Sequence, residues 1–302
     1  MLSIIITTKD SYETFEKSFR ATLASVKDAV NQKIIIDAQI IVVSVNTYHF
    51  LDEIHEEHIQ ISNVIDSLEG KSIAMNLGIE QSRGEYCIFT DGDILLDIHA
   101  IGSLYHYATN QSLVIAGGKP QSIETKNTML GYWSWALAEG NAARIRKQVE
   151  RDRLSGNKKF FPVSGYLFII TKDAFPLLPK DLLSEDAYIS YKIFEKGNAI
   201  GYCEDALVYV KYPQTYHDYL AQKVRSTGGY AQQQLKNTKT RSFSYEALHG
   251  AWATLTYAKN PTQLWWSCLL LLSRIHIWIL ILYKVKIRKQ TNIWDTIHSS
   301  KI

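Results

Sequence analysis

The stretch Tyr86-Cys87-Ile88-Phe89-Thr90-Asp91-Gly92-Asp93 decides the fold class. Five strand-favouring residues run directly into two carboxylates separated by a glycine, the pattern of a strand that leaves a buried sheet and turns. Two carboxylates at a strand exit can hold a divalent cation against a diphosphate, because hard cations take oxygen ligands. An acidic pair around a glycine is also ordinary turn chemistry. The flanking sequence has to separate a turn from a site.

Upstream, Leu2 to Thr7 is a β-branched run without alternation, as expected of a strand covered on both faces. Asp10 and Glu13 form a capping pair for a helix whose Phe15, Phe19, Val26 and Val30 recur at helical spacing. Ile34 to Val45 predicts a second buried strand and Ile59 to Ile65 a third. Gly70-Lys71 then opens a helix through Glu80, with the small residues Ala74 and Gly78 on one face. Alternating β and α elements predict an α/β fold with a mostly parallel, doubly wound sheet, whose ligands bind at the carboxyl ends of the strands. That edge is where Asp91 and Asp93 fall. Neither an internal repeat nor a Pro/Gly-rich linker interrupts residues 1–235, which read as one domain.

Of the 302 residues, 46% are hydrophobic, enough for a substantial core, and the net charge of +3 is too mild for a nucleic-acid partner. Cys87, Cys203 and Cys268 lack any disulfide or zinc-ligand spacing, which fits a reducing compartment. The apolar run at Met1 to Ile6 has no basic lead and stops at Thr7-Thr8-Lys9-Asp10, so it reads as a buried strand and not as a signal peptide. The catalytic part is therefore expected on the cytoplasmic side. A polar basic stretch, Lys236 to Arg241, suggests a boundary, making residues 236–302 a separate C-terminal region. Within it Leu264 to Tyr283 is rich in Leu, Ile and Trp and is followed by Lys284, Lys286, Arg288 and Lys289. About 20 apolar residues span a bilayer, but Arg274 and His276 lie near the middle, where an Arg costs about 2.5 to 3.5 kcal/mol on insertion scales. A single span through 264–283, a peripheral helix on the membrane surface and a buried core helix all remain open.

Three more segments accompany the acidic pair: Phe161-Pro162-Val163-Ser164-Gly165-Tyr166, Leu183-Ser184-Glu185-Asp186-Ala187-Tyr188 and Gln222-Lys223-Val224-Arg225. With Ser3 to Asp10, Gly70 to Ile79 and the Asp91-Gly92-Asp93 strand end, their order and spacing resemble a family 2 inverting glycosyltransferase with the GT-A fold, across residues 1–235. The resemblance implies a Rossmann-like catalytic domain moving a sugar from a UDP- or GDP-sugar to a lipid-linked or glycan acceptor at the cytoplasmic membrane face. It implies Mg²⁺ or Mn²⁺ on Asp93, with Asp91 as a second ligand or ribose contact. Thr7, Thr8, Lys71, Gln222 and Arg225 would bind the donor. Asp186 would be the general base and Glu185 its support. On the residues alone, Lys71 is equally a solvated surface lysine, and Ser184 to Asp186 equally a helix start favouring acidic side chains.

The sequence departs from the family pattern at three places. Ser226 stands where a Trp lines the acceptor site of polysaccharide-synthesising members; Ser44 and Asn46 occupy the place of an acidic pair that helps to read the nucleotide base; Thr7 replaces a Pro. Gly165 reads as a turn glycine. His55 and His58 are spaced like ligands on a helix, but Glu53, Glu56 and Glu57 make a solvated acidic face the simpler reading. Arg144 to Arg153 is a charged helix face, and Trp133 and Trp135 either stack on a sugar or anchor a helix. A nucleotidyltransferase would share the acidic sheet edge but calls for a Gly-rich phosphate loop, which does not follow the first strand. An inactive scaffold of a glycan assembly complex is the other alternative, prompted only by the missing Trp and acidic pair.

Overall fold

The computed structural model describes residues 1–156, 158–180, 182, 184–229, 251–281 and 301. The Lys236 to Arg241 boundary and the basic run Lys284 to Lys289 lie outside the described residues, as do 282 and 283 of the apolar segment. Two compact units are present, one of residues 1–120 with 156–210, the other of residues 121–155 with 211–301.

The first unit is built on an eight-stranded sheet. Its opening strands are β1 (Leu2–Thr8), β2 (Ala38–Ser44), β3 (Ile59–Ile65) and β4 (Tyr86–Asp91), separated by α1 (Tyr12–Asn31) and α2 (Lys71–Gln81). All the pairings among β1 to β4 are parallel, with β2 and β4 on the two sides of β1 and β3 outside β2. Leu2, Ile4, Ile5 and Ile6 are essentially inaccessible, as an unalternating strand covered on both faces requires. Gly78 shows why α2 lies so close: a β-carbon there would run into Ile5 of β1 and crowd Val43 of β2. On α1, Phe15 and Phe19 pack with Tyr48 and Phe50, the Phe15 and Tyr48 rings 4.3 Å apart.

Three local expectations give way. β2 starts at Ala38 and not at Ile34, because Lys33 takes a left-handed conformation (φ 58°) and the Ile34 and Ile35 amides fold back onto the Ala29 carbonyl, closing α1. The capping pair Asp10/Glu13 does not form: the N-cap is Ser11, and Asp10 instead accepts from the Thr8 hydroxyl at 3.0 Å. Residues 53–58 form turns and an isolated bridge, so His55 and His58 share no helix.

Beyond β4 the sheet becomes antiparallel. The remaining elements of this unit are β5 (Leu95–Leu96), α3 (Ala100–Asn110), β6 (Ile115–Ser122), β7 (Leu167–Thr171), α5 (Glu185–Glu195) and β8 (Ile200–Val210). β7 pairs antiparallel with both β4 and β6, and β5 with β8, giving the order β3-β2-β1-β4-β7-β6-β8-β5. The sheet is thus mixed, and its doubly wound parallel half ends at the acidic strand β4.

The second unit contains α4 (Met129–Ser155), α6 (Tyr216–Gly229), α7 (Ala251–Thr256) and α8 (Pro261–Ile281). Tyr132, Trp133 and Ala136 of α4, Tyr219 of α6, and Leu270, Ile277 and Ile281 of α8 form its core. Replacing Gly78 by Leu should force α2 off β1 and lower stability by about 1 to 3 kcal/mol, as overpacking of a filled core does. Urea denaturation measures this, and an unchanged midpoint would show that α2 does not seat there.

Candidate active site

Asp91 is the last residue of β4, in register with Thr7 of β1. Gly92 is buried, and a side chain on it would collide with Thr8 and meet Phe15. Glycine is what lets the turn carrying Asp93 lie against the end of β1. The neighbouring loop is fixed in turn: the Asp10 carbonyl accepts from the Tyr48 hydroxyl at 2.9 Å and from the Asn46 amide at 3.4 Å, joining the chain after β1 to the chain after β2.

Lys71 opens α2 directly after Gly70, whose φ of 108° favours glycine. Its ammonium pairs with Asp91, and its side chain keeps 25% of its exposure. Burial alone would pull the lysine pKa down; Asp91, Glu185 and Asp186 more than offset this, so the ammonium is held charged well above its usual range. The solvated-surface reading of Lys71 therefore fails. Glu185, from the first turn of α5, is 7% exposed and lies 3.5 Å from the Ser72 hydroxyl, which donates to it. Burial pushes its carboxyl above the ordinary glutamate range, partly countered by Lys71 and reinforced by Asp186 and Asp91.

Asp186 follows on the same turn. Its Oδ1 accepts from the Ser184 hydroxyl at 2.8 Å and from the Ala187 amide at 2.9 Å. Its Oδ2 faces Gly165, where an added β-carbon would stand 3.4 Å away. The helix-start role and a presented carboxylate oxygen hold together, because they use different oxygens. Lys71, Asp91, Glu185 and Asp186 are thus brought into one electrostatic cluster, with Thr7 and Thr8 beside Asp91. Gln222 and Arg225 belong to α6 of the second unit, where the Gln222 Oε1 is buried without a hydrogen-bond partner among the described residues.

Two residues given no site role by the sequence matter here. Gly165 does lie in a turn, and it also leaves room beside Asp186. Asp66, immediately after β3, has a buried Oδ1 with no partner among the described residues, and burial raises its pKa. Its amide donates to the Ser44 carbonyl at 2.8 Å, so an acid does stand at the end of the strand next to Ser44 and Asn46. The one signal for it was position: it is the first charged residue after a predicted strand. The other candidates resolve as packing or surface. Trp133 is buried and donates from Nε1 to the Trp266 carbonyl at 2.7 Å, whereas the half-buried Trp135 donates to the Glu124 carbonyl at 2.6 Å beneath the Lys126 ammonium. Arg153 pairs with Glu150 along α4, and His58 with Asp37.

Among the described residues no three His, Cys, Asp or Glu side chains are grouped as a ready-made metal cage. A cation such as Mg²⁺, however, takes one or two carboxylates and completes its shell with phosphate and water. The donor set fits that demand: Asp91 is committed to Lys71, Asp93 stands on the adjoining turn, and carboxylates outnumber the one ammonium in the cluster.

The electrostatics yield a stability test. Because the folded-state pKa of Glu185 is raised, the native state holds more protons than the unfolded one above the ordinary glutamate pKa, and stability falls as pH rises through that window. Thermal melts from pH 4 to 7 should show this decline in wild type and a flatter profile in Glu185→Gln. Parallel profiles would mean that Glu185 is not buried against its neighbours.

A family model described as glycosyl transferase family 2 matches residues 3–175, and one described as glycosyl transferase family group 2 matches residues 121–297. No curated protein matches the chain. Among solved structures, the mannosyltransferase PcManGT of Pyrobaculum calidifontis, in complex with GDP-Man and Mn²⁺, superposes with a TM-score of 0.56 at 14% identity, over 96% of this chain and 80% of that one. Residues 1–349 of S. aureus TarS superpose at 0.47 and 13% identity, over 85% and 72% of the two chains. The first match supports the GT-A fold class; the second is too loose to add to it.

Proposed function

We propose that this chain, which belongs to glycosyl transferase family 2, is a metal-dependent inverting glycosyltransferase that moves a sugar from a nucleoside-diphosphate sugar to a lipid-linked or glycan acceptor at the cytoplasmic face of the membrane. The observation carrying the reading is the division of labour between two acidic ends. Asp91 and Asp93 stand at the exit of β4, and Asp186 opens α5 with one oxygen anchored and the other turned to Gly165.

In this reading Asp186 Oδ2 takes the proton of the acceptor hydroxyl as its oxygen bonds to the anomeric carbon. The bond from that carbon to the diphosphate breaks on the opposite face, inverting the configuration. Anchoring Oδ1 with Ser184 and the Ala187 amide fixes the carboxylate's direction, which is what a general base needs. Asp93, with Asp91 behind it, would hold Mg²⁺ or Mn²⁺, which when bound offsets the charge of the departing diphosphate. Lys71, anchored by Asp91 and kept charged, adds positive charge at the same strand edge. Glu185 supports it from beneath. Thr7 and Thr8 border the donor side, and Asp66 supplies the acid that Ser44 and Asn46 lack for reading a base. Gln222 and Arg225 keep a donor-binding role on the strength of their motif, a planar guanidinium suiting a phosphate. The Pyrobaculum protein carries GDP-mannose and Mn²⁺, which makes that the first donor to try.

Release of the nucleoside diphosphate should be followed with a panel of nucleotide sugars and Mn²⁺, with and without membrane lipid extract. Release with at least one donor is expected; none in any condition would favour the inactive scaffold. Asp186→Asn should keep Mn²⁺-dependent donor binding and lose about 10² to 10⁴ in rate, the usual worth of a general base. Asp93→Ala should lose both. Wild-type turnover in Asp186→Asn would remove it as the base.

A further inference from the structure

Among the described residues α8 is the one helix long and apolar enough to cross a membrane, yet only 28% of its apolar window is buried. Its two faces differ in kind. One carries Ser267, Leu270, Ser273, Ile277 and Ile281, spaced three and four apart and all buried. This face is fastened by polar bonds: Ser267 Oγ with the Tyr132 hydroxyl at 2.7 Å, Ser273 Oγ with the Tyr219 hydroxyl at 3.3 Å, and the Trp266 carbonyl with Trp133 Nε1. The other face presents Trp265, Leu272, Ile275 and Ile279, of which Trp265, Leu272 and Ile279 are 61, 60 and 59% exposed.

A spanning helix needs lipid or other membrane-compatible helices on every side. Here α4 and α6 hold one face, and neither can follow it into hydrocarbon, since α4 bears Arg144, Arg146, Lys147 and Glu150 and α6 bears His217, Asp218 and Lys223. Tearing α8 away would leave buried hydroxyls without partners. His276 borders this second face, its Nδ1 3.0 Å from the Tyr216 hydroxyl. A helix with one face bound to its own protein and the other mainly apolar with a polar border is suited to the plane of the interface, its apolar side in the acyl boundary.

We propose that α8 docks this protein side-on to an anionic lipid surface through Trp265, Leu272, Ile275 and Ile279, and does not cross the bilayer. The occupant is identified by charge as well as by apolarity. Lys284, Lys286, Arg288 and Lys289 follow directly in the sequence, with no acidic residue before Asp295, and such a cluster beside an apolar helix favours anionic headgroups. Trp265 at one end of the stripe suits the headgroup level. The inference rests on the membrane location proposed above and replaces its open choice between spanning and lying flat.

Co-sedimentation of the full chain with phosphatidylcholine vesicles, with and without phosphatidylglycerol, tests it without any sugar donor, so its failure and failure of the transfer reading are distinguishable. Wild type should bind anionic vesicles at least tenfold better than neutral ones, and alkaline carbonate should release it. The double variant Leu272→Glu/Ile279→Glu should lose binding with an unchanged melting midpoint; if it misfolds, Leu272→Ala/Ile279→Ala should show a partial loss. Retention through carbonate would establish a span and overturn the proposal. Equal binding to both lipids, no binding to either, or undiminished binding by a folded variant would overturn it too.

Discussion

The site depends on one ammonium. Lys71 stands at the start of α2, pairs with Asp91 at the end of β4, and is held charged by Glu185 and Asp186 on the first turn of α5. It thereby ties a crossover helix, the acidic strand and a helix more than a hundred residues away into a single cluster. Without that charge, a buried glutamate and two aspartates would face one another with nothing to oppose their repulsion. With it, Asp91 is fixed at the strand exit, and Asp93 follows on the adjoining turn. The cost is a buried carboxyl on Glu185 that ionises reluctantly.

The parallel half of the fold was legible because each element there carries a local signature. The run Leu2 to Thr7 does not alternate, Gly70-Lys71 marks a helix start, and the strand Tyr86 to Thr90 breaks at two carboxylates. The antiparallel half was not legible. β7 pairs with β4 across about eighty intervening residues, and nothing local in Leu167 to Thr171 distinguishes a parallel partner from an antiparallel one. Within the site, residue identities were readable from motif resemblance, while their coupling was not. The Lys71 to Asp91 pair and the Ser72 to Glu185 contact join segments 20 and 113 residues apart. Asp66 went unread, and Gly165 was read only as a turn glycine, because a turn glycine and a loop aspartate look alike in sequence whether or not they border a site.

In the second unit, composition and packing give different information about the same helix. Hydropathy alone makes α8 a span candidate, and Arg274 near its centre already argued against that reading. What separates the alternatives is which side chains the protein itself covers. Serines on the buried stripe bond to tyrosines of α4 and α6, while Trp265, Leu272, Ile275 and Ile279 on the other side are exposed. The same helix is therefore half core and half surface, a distinction that a sliding window averages away.

The central claim is a single displacement assisted by Asp186, and its stereochemistry tests it most directly. In the absence of acceptor, with a donor whose diphosphate is released, water takes the acceptor's place, and proton NMR of the freed sugar before mutarotation reports its anomeric configuration. The arrangement at Asp186 predicts a first-formed sugar of configuration opposite to that of the donor. Release with the donor's own configuration would contradict it, since retention requires a route that the carboxylate facing Gly165 does not provide.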